Sequence, residues 1–105
     1  MVTAMNNYNE VIYLQQPIMH DDGTEGAILT KVYCAKTSVG FNEFYSANQA
    51  GFKPEIKFVI SDYRGYSDEP LVRYNNNLYN VIRTYQLGER ELEITCQRVN
   101  EHGTV

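Results

Sequence analysis

The sequence predicts an all-β fold: a small six-stranded antiparallel barrel or sandwich, with one short helix or long loop inserted between the second and third strands. Three observations carry this. Apolar and polar residues alternate with period two after Pro54 and again from Arg90 to Val99, as in half-buried strands. The apolar runs are short and are separated by Gly, Asn and Pro turn signals. Only between Asn42 and Gly51 does the spacing change, with Phe44, Ala47 and Ala50 recurring every third residue. A chain of 105 residues supports one domain with one core, residues 1–105, with 1–9 and 100–105 expected as flexible tails.

In chain order, Glu10–Gln16 holds VIYL and reads as a first strand ended by Pro17, which cannot donate to a ladder. His20–Gly26 is polar, carries two glycines and reads as an exposed turn. Ile28–Val39 is a long second strand with Ile28, Val32 and Cys34 on one face, its end at Lys36-Thr37-Ser38 leaving the sheet. Asn42 is placed to cap the helix and Gly51 to close it. In the third strand Ile56, Phe58 and Ile60 face inward, and Glu55, Lys57, Val59 and Ser61 outward.

Arg64–Pro70 reads as a loop, and Leu71–Tyr74 with Leu78–Leu87 as a hairpin around Asn75-Asn76-Asn77, since asparagine tolerates the positive φ of tight turns. In the last strand, Arg90–Val99, Leu92, Ile94 and Cys96 turn inward, and Glu91, Glu93, Thr95 and Gln97 outward. Closure of such a sheet removes exposed edges.

A hydrophobic content of 43% with 21% charged residues is globular rather than disordered, and the apolar runs are too short for a membrane-spanning helix. Met1–Tyr8 lacks the basic and apolar regions of a signal peptide. Two cysteines, each within a strand run, make no disulfide framework and read as buried free thiols. A net charge of −4 disfavours phosphate binding and suits a channel that DNA passes without sticking. Nine tyrosines with no tryptophan fit strands, and also fit a protein that works through interfaces.

Catalysis needs a nucleophile beside a base, paired carboxylates or a metal set, and the sequence offers no such constellation. His20 and His102 are not at ligand spacing from another histidine or cysteine, and His20-Asp21-Asp22 reads as an acidic turn rather than a divalent-ion site. Cys34 with a distant histidine has no local support as a hydrolase pair. No phosphate loop or nucleophile elbow is present. The expectation is a non-enzyme without catalytic residues, metal or cofactor.

The segments KVYCAKTS, NEFYSANQAGFKPEIKFVISDYRG and PLVRYNNNLYNVIRTYQLGERELEITC, in that order, resemble the head-closure (head-tail adaptor, or stopper) proteins of tailed bacteriophages and prophages. The resemblance runs from about Val11 to Val99. Its pattern positions are Glu43, Ala47 and Gly51 before the strand with Phe58, then Tyr63, then Tyr74 and Tyr79 around the hairpin turn, and Leu92 and Ile94 in the final strand. Tyr33-Cys34-Ala35 stands where the family often has tryptophan, and the arginine often found near Ser61-Asp62-Tyr63 is missing.

The resemblance implies a structural β-barrel subunit of the virion's head-tail connector, assembled in the bacterial host cytoplasm. It implies a homo-oligomeric ring, dodecameric when assembled from a chain that is monomeric in isolation, seated between portal-adaptor ring proteins and tail proteins. Such a ring encloses viral DNA without sequence-specific binding, closes the exit channel after packaging and docks the tail. It also implies that Thr37–Pro54, with Phe41, Phe44, Tyr45 and Phe52, projects into the lumen as a gate or forms an interface; these aromatics serve equally to cap one end of the barrel.

Two other classes fit the composition. One is a barrel that stacks single-stranded nucleic acid or sugar on aromatic strands, although Arg73, Arg83, Arg90 and Arg98 are interspersed with acids. The other is a different phage connector, such as a tail-completion or tail-terminator protein.

Overall fold

The computed structural model describes residues 7–99, so the expected tail positions 1–6 and 100–105 lie outside the described residues. Six strands and one α-helix follow in order: β1 Glu10–Met19, β2 Glu25–Thr37, α1 Phe41–Gln49, β3 Ile56–Ile60, β4 Leu71–Tyr74, β5 Asn77–Leu87 and β6 Glu91–Arg98. A one-turn 3-10 helix, Tyr63–Gly65, lies between β3 and β4. The strands form a closed antiparallel barrel in the order β1-β2-β3-β6-β5-β4, and β1 pairs with β4 to close it. The fold is therefore the six-stranded barrel, with its short helix between strands two and three.

The interior follows the period-two pattern. Ile12 and Leu14 of β1, Phe58 and Ile60 of β3, Val72 of β4 and Ile94 of β6 are essentially inaccessible. Phe58 is the largest of the fully buried side chains, and it meets Tyr74 and Tyr79 edge-on, with ring centroids 5.1 and 6.3 Å away. Each such buried side chain contributes about 1.5–3 kcal/mol of transfer free energy. The Tyr74 hydroxyl keeps its polar tip satisfied by donating to Glu10 Oε1 at 2.9 Å.

Several local expectations are corrected. Pro17 does not end β1, which runs to Met19. Beyond Gln15 the strand has no neighbour on its β4 side, so the missing N–H costs no cross-strand bond there. At the end of β2, Lys36 and Thr37 stay in the sheet opposite Phe58 and Lys57. Asn77 belongs to β5, leaving a two-residue turn in which Asn75 and Asn76 hold φ of 51° and 65°, the left-handed values that a tight hairpin requires.

The helix begins two residues earlier than expected, with Gly40 rather than Asn42 at its N-cap and no side-chain capping bond. Its end is as expected. Gly51 has φ +91°, its N–H donates to Asn48 O, and Phe52 N–H donates to Ala47 O, the paired bonds that close a helix through a left-handed residue. Two positions that face outward by register, Val59 and Thr95, are nevertheless buried. Thr95 is covered because Glu43 of α1 reaches over it.

Ile28 does share a face with Val32 and Cys34, but it is 54% exposed. The reason is topological: β1 and β2 pair from Glu10↔Cys34 out to Met19↔Glu25, whereas β1 meets β4 only at Tyr13–Gln15 and β2 meets β3 only from Cys34 onward. The outer part of this hairpin is thus a two-stranded ribbon standing clear of the barrel. Its tip is a tight turn in which His20 and Thr24 pair through the backbone and Asp22 Oδ1 accepts from both Thr24 N and Oγ1.

Cys34 and Cys96 are free and fully buried, and burial pushes both thiols up to about 12. Neither should react with a maleimide in the native protein, and both should label together on unfolding, which thiol titration across a denaturant series measures. Prompt native labelling of Cys96 would contradict its inward register.

Candidate functional site

The feature that a bare barrel does not need is the insertion between β2 and β3. None of the residues of α1 is buried. Phe41 is 75% exposed, and Phe44, Tyr45 and Phe52 are exposed as well. Phe41 and Tyr45, one turn apart, pack edge to face with centroids 4.9 Å apart, so the helix presents an aromatic pair to its surroundings.

Polar contacts fasten this helix to the barrel. Glu43 reaches the outer face of β3, where Lys57 Nζ donates to its Oε1 at 2.9 Å, and the hydroxyl of Thr95 on β6 donates to Oε2 at 3.2 Å. Lys57 also lies 3.3 Å from Glu93 Oε2, and Arg83 Nε of β5 lies 3.9 Å from Glu43 Oε2. The side chains of Glu43, Lys57 and Glu93 are only 13–16% exposed, so the group is largely withdrawn from solvent.

The electrostatics follow from that placement. Desolvation works to raise the Glu43 carboxyl, but the hydrogen bond and charge of Lys57, with Arg83 and Thr95, outweigh it and hold the carboxyl below its ordinary value. Desolvation likewise works to lower Lys57, and the two carboxylates more than compensate, so the ammonium is held above its ordinary range. At the cluster lies a cleft of about 240 Å³ lined by Ser46, Ala47, Phe52, Pro54, Ile82 and Arg83 together with Glu43 and Thr95. Ile82 falls where the β5–β6 register shifts between Val81 and Arg83, a bulge that re-aims the strand beside the cleft.

The positions singled out from sequence thus divide. Phe41, Glu43, Phe44, Tyr45, Ala47, Gly51 and Phe52 come together on the insertion. Phe58, Tyr74 and Tyr79 form one aromatic group inside the barrel. Tyr63 stands apart at the 3-10 turn, exposed. Lys57, Glu93, Thr95 and Arg83 complete the cluster around Glu43 and were not among them. The only sequence signal for them is that β3, β5 and β6 carry charged or hydroxyl residues in alternate positions, which any solvated face shares.

Among the described residues no group of three or more His, Cys, Asp or Glu is placed to hold a metal ion, and no helix is long and apolar enough to cross a membrane. No family model matches the sequence, and no curated protein matches it.

Proposed function

We propose that this chain is a ring-forming structural subunit of a tailed-phage or prophage connector, of the head-closure class, whose α1 insertion closes the DNA exit channel after packaging. One observation carries the reading: an exposed aromatic helix with no buried residue is attached to the barrel by a charge cluster. A helix packed through an apolar face resists removal, whereas one held by ion pairs can exchange them for contacts with neighbouring subunits. In the virion the ring sits between portal-adaptor and tail proteins, encloses DNA without reading its sequence, and is assembled in the host cytoplasm without cofactor or catalytic step. The same geometry weighs against a nucleic-acid module. Arg64 and Arg90 turn to Asp62, Arg83 to Glu43, Arg73 to Gln15 and Arg98 to Asn77, so the arginines lie beside acceptors of their own chain.

Replacing Phe41–Phe52 by a short Gly/Ser linker tests the gate. The barrel should stay folded, because its ladders do not include this segment and loop-closure cost changes slowly with length. The variant should still assemble on the adaptor. Filled capsids carrying it should lose DNA to nuclease before tails attach. A variant that folds, assembles and retains DNA overturns the gating role, and one that unfolds or aggregates assigns the aromatics to capping the barrel.

A further inference from the structure

Among the strand edges that the closed barrel leaves open in the described residues, two carry no proline. The first is on β2: from Glu25 to Tyr33 its only partner is β1. The second is on β5: its ladder with β4 ends at Asn80, and Val81 N–H caps it by donating to Pro70 O, so Arg83–Leu87 pairs with β6 alone. A soluble protein ordinarily blunts such edges with proline, bulges or repeated lysine. The β2 edge carries no proline and one lysine, Lys31, and it exposes Ile28, Leu29 and Tyr33.

The two edges complement each other. Run antiparallel, the ribbon tip of one molecule lies at the β5–β6 turn of the next, because β5 leads into that turn. The tip carries Asp21, Asp22 and Glu25, all exposed. Beside the turn stand Arg90 and Arg64, 72% and 66% exposed at their side chains, sharing the single carboxylate of Asp62. Backbone direction restricts the register. His20 N–H donates to Thr24 O, so even residues of β2 bond to β1 and odd ones turn their N–H to the open edge; Val99 N–H donates to Leu78 O, and past the bulge odd residues of β5 bond to β6, leaving Thr84 and Gln86 to turn theirs to the open edge. Odd residues of β2 therefore oppose even residues of β5. Setting Leu29 against Gln86 and Lys31 against Thr84 places Ile28 against Leu87 and Thr30 against the Tyr85 ring.

We propose that the open β2 edge of one copy pairs antiparallel with the open β5 edge of a second copy in this register, joining copies head to tail. The contact deepens the connector reading, since it supplies the ring interface that reading requires. It uses two different surfaces of the chain, so it closes into a ring when the rotation permits and otherwise continues as a filament. Pairing between two β2 ribbons would give a closed dimer and leave the β5 edge open.

The test mixes two proteins, Thr30→Cys and Tyr85→Cys, at high concentration with a short bis-maleimide; native Cys34 and Cys96 are buried and silent. The mixture should give a covalent dimer containing one copy of each, at least tenfold above either protein alone, and adding Ile28→Lys to the ribbon should abolish it. Dominant linkage of Thr30→Cys with itself, or no excess in the mixture, overturns the proposal. Sedimentation of the unmodified chain is the independent readout: in place of the isolated monomer that the resemblance implies, association should pass beyond the dimer, and saturation at a dimer or a strict monomer at every concentration counts against it. Head-to-tail linkage together with full DNA retention by the linker variant would leave this contact standing and remove the gate. DNA leakage without linkage would do the reverse.

Discussion

Truncation of Phe58 to alanine is expected to destabilise the protein by about 3–5 kcal/mol. The ring is wholly inaccessible and is the common partner of Tyr74 and Tyr79, so its loss removes two edge-on contacts and opens a cavity that strands tied on both sides cannot collapse to fill. Against a total stability of about 5–15 kcal/mol for an ordinary domain, this is a large fraction. Denaturant unfolding should show a lower midpoint with an unchanged slope, and heat should lower Tm by on the order of 4–8 °C per kcal/mol. The comparison is Phe41→Ala. That ring is mostly in solvent, so the same change there should shift stability by no more than about 0.5 kcal/mol. Equal costs at the two positions would contradict the division of these phenylalanines between core and surface.

Replacement of Lys57 by methionine is expected to release α1 while leaving the barrel closed. Methionine keeps the apolar stem of this β3 side chain, but Glu43 and Glu93 then face each other, largely out of solvent, without their shared cation. Removing the cation from such a pair, with only Thr95 and Arg83 left to Glu43, costs about 1–3 kcal/mol. Amide exchange at Phe41–Gln49 should accelerate while β3 and β6 keep their protection. Acid should mimic the substitution. Because the folded Glu43 carboxyl lies below its ordinary 4.5, its contribution is complete above that pH and is lost as pH falls through the lowered folded value. Lys57 has the opposite sign: held above its ordinary 10.5, it contributes fully below that pH and loses its contribution only as pH rises through the folded value. Unchanged α1 protection in the variant and at low pH would show that the charge cluster does not hold the helix.

The strands were legible wherever one face is buried and the neighbour on each side is another strand. Phe58 and Ile60 in β3, and Leu92, Ile94 and Cys96 in β6, face inward as their alternation says. The asparagine turn was legible because few residues accept positive φ at successive positions. Pro17 misled because its effect depends on whether a partner lies on its N–H side, and that is a property of the closed sheet. Ile28 misled because alternation reports which face a residue is on, not whether the barrel extends that far.

At the site, the exposed aromatics were legible as a surplus over what a connection needs. The partners of Glu43 were not, since Lys57 and Thr95 lie 14 and 52 positions away along the chain and meet it only through the barrel's own curvature. Val59 belongs to the same class: its outward register holds, but burial there is decided by what surrounds that face.

The shortest ladder in the barrel is the one that closes it, three residue pairs from Tyr13↔Arg73 to Gln15↔Leu71. Its two sides lie far apart in sequence, Gln15 and Arg73 being 58 positions from each other, while β1–β2 and β4–β5 are local hairpins. Local pairs form early and distant ones late, because chain entropy must be surrendered before a distant contact returns anything. The nascent chain therefore carries a formed first hairpin before β4 emerges to lock the seam, and because the ribbon stands clear of the barrel, closure leaves its apolar edge in water as before. The ribbon edge is thus open from the moment β2 is made, and synthesis itself becomes the stage at which neighbouring copies first encounter one another.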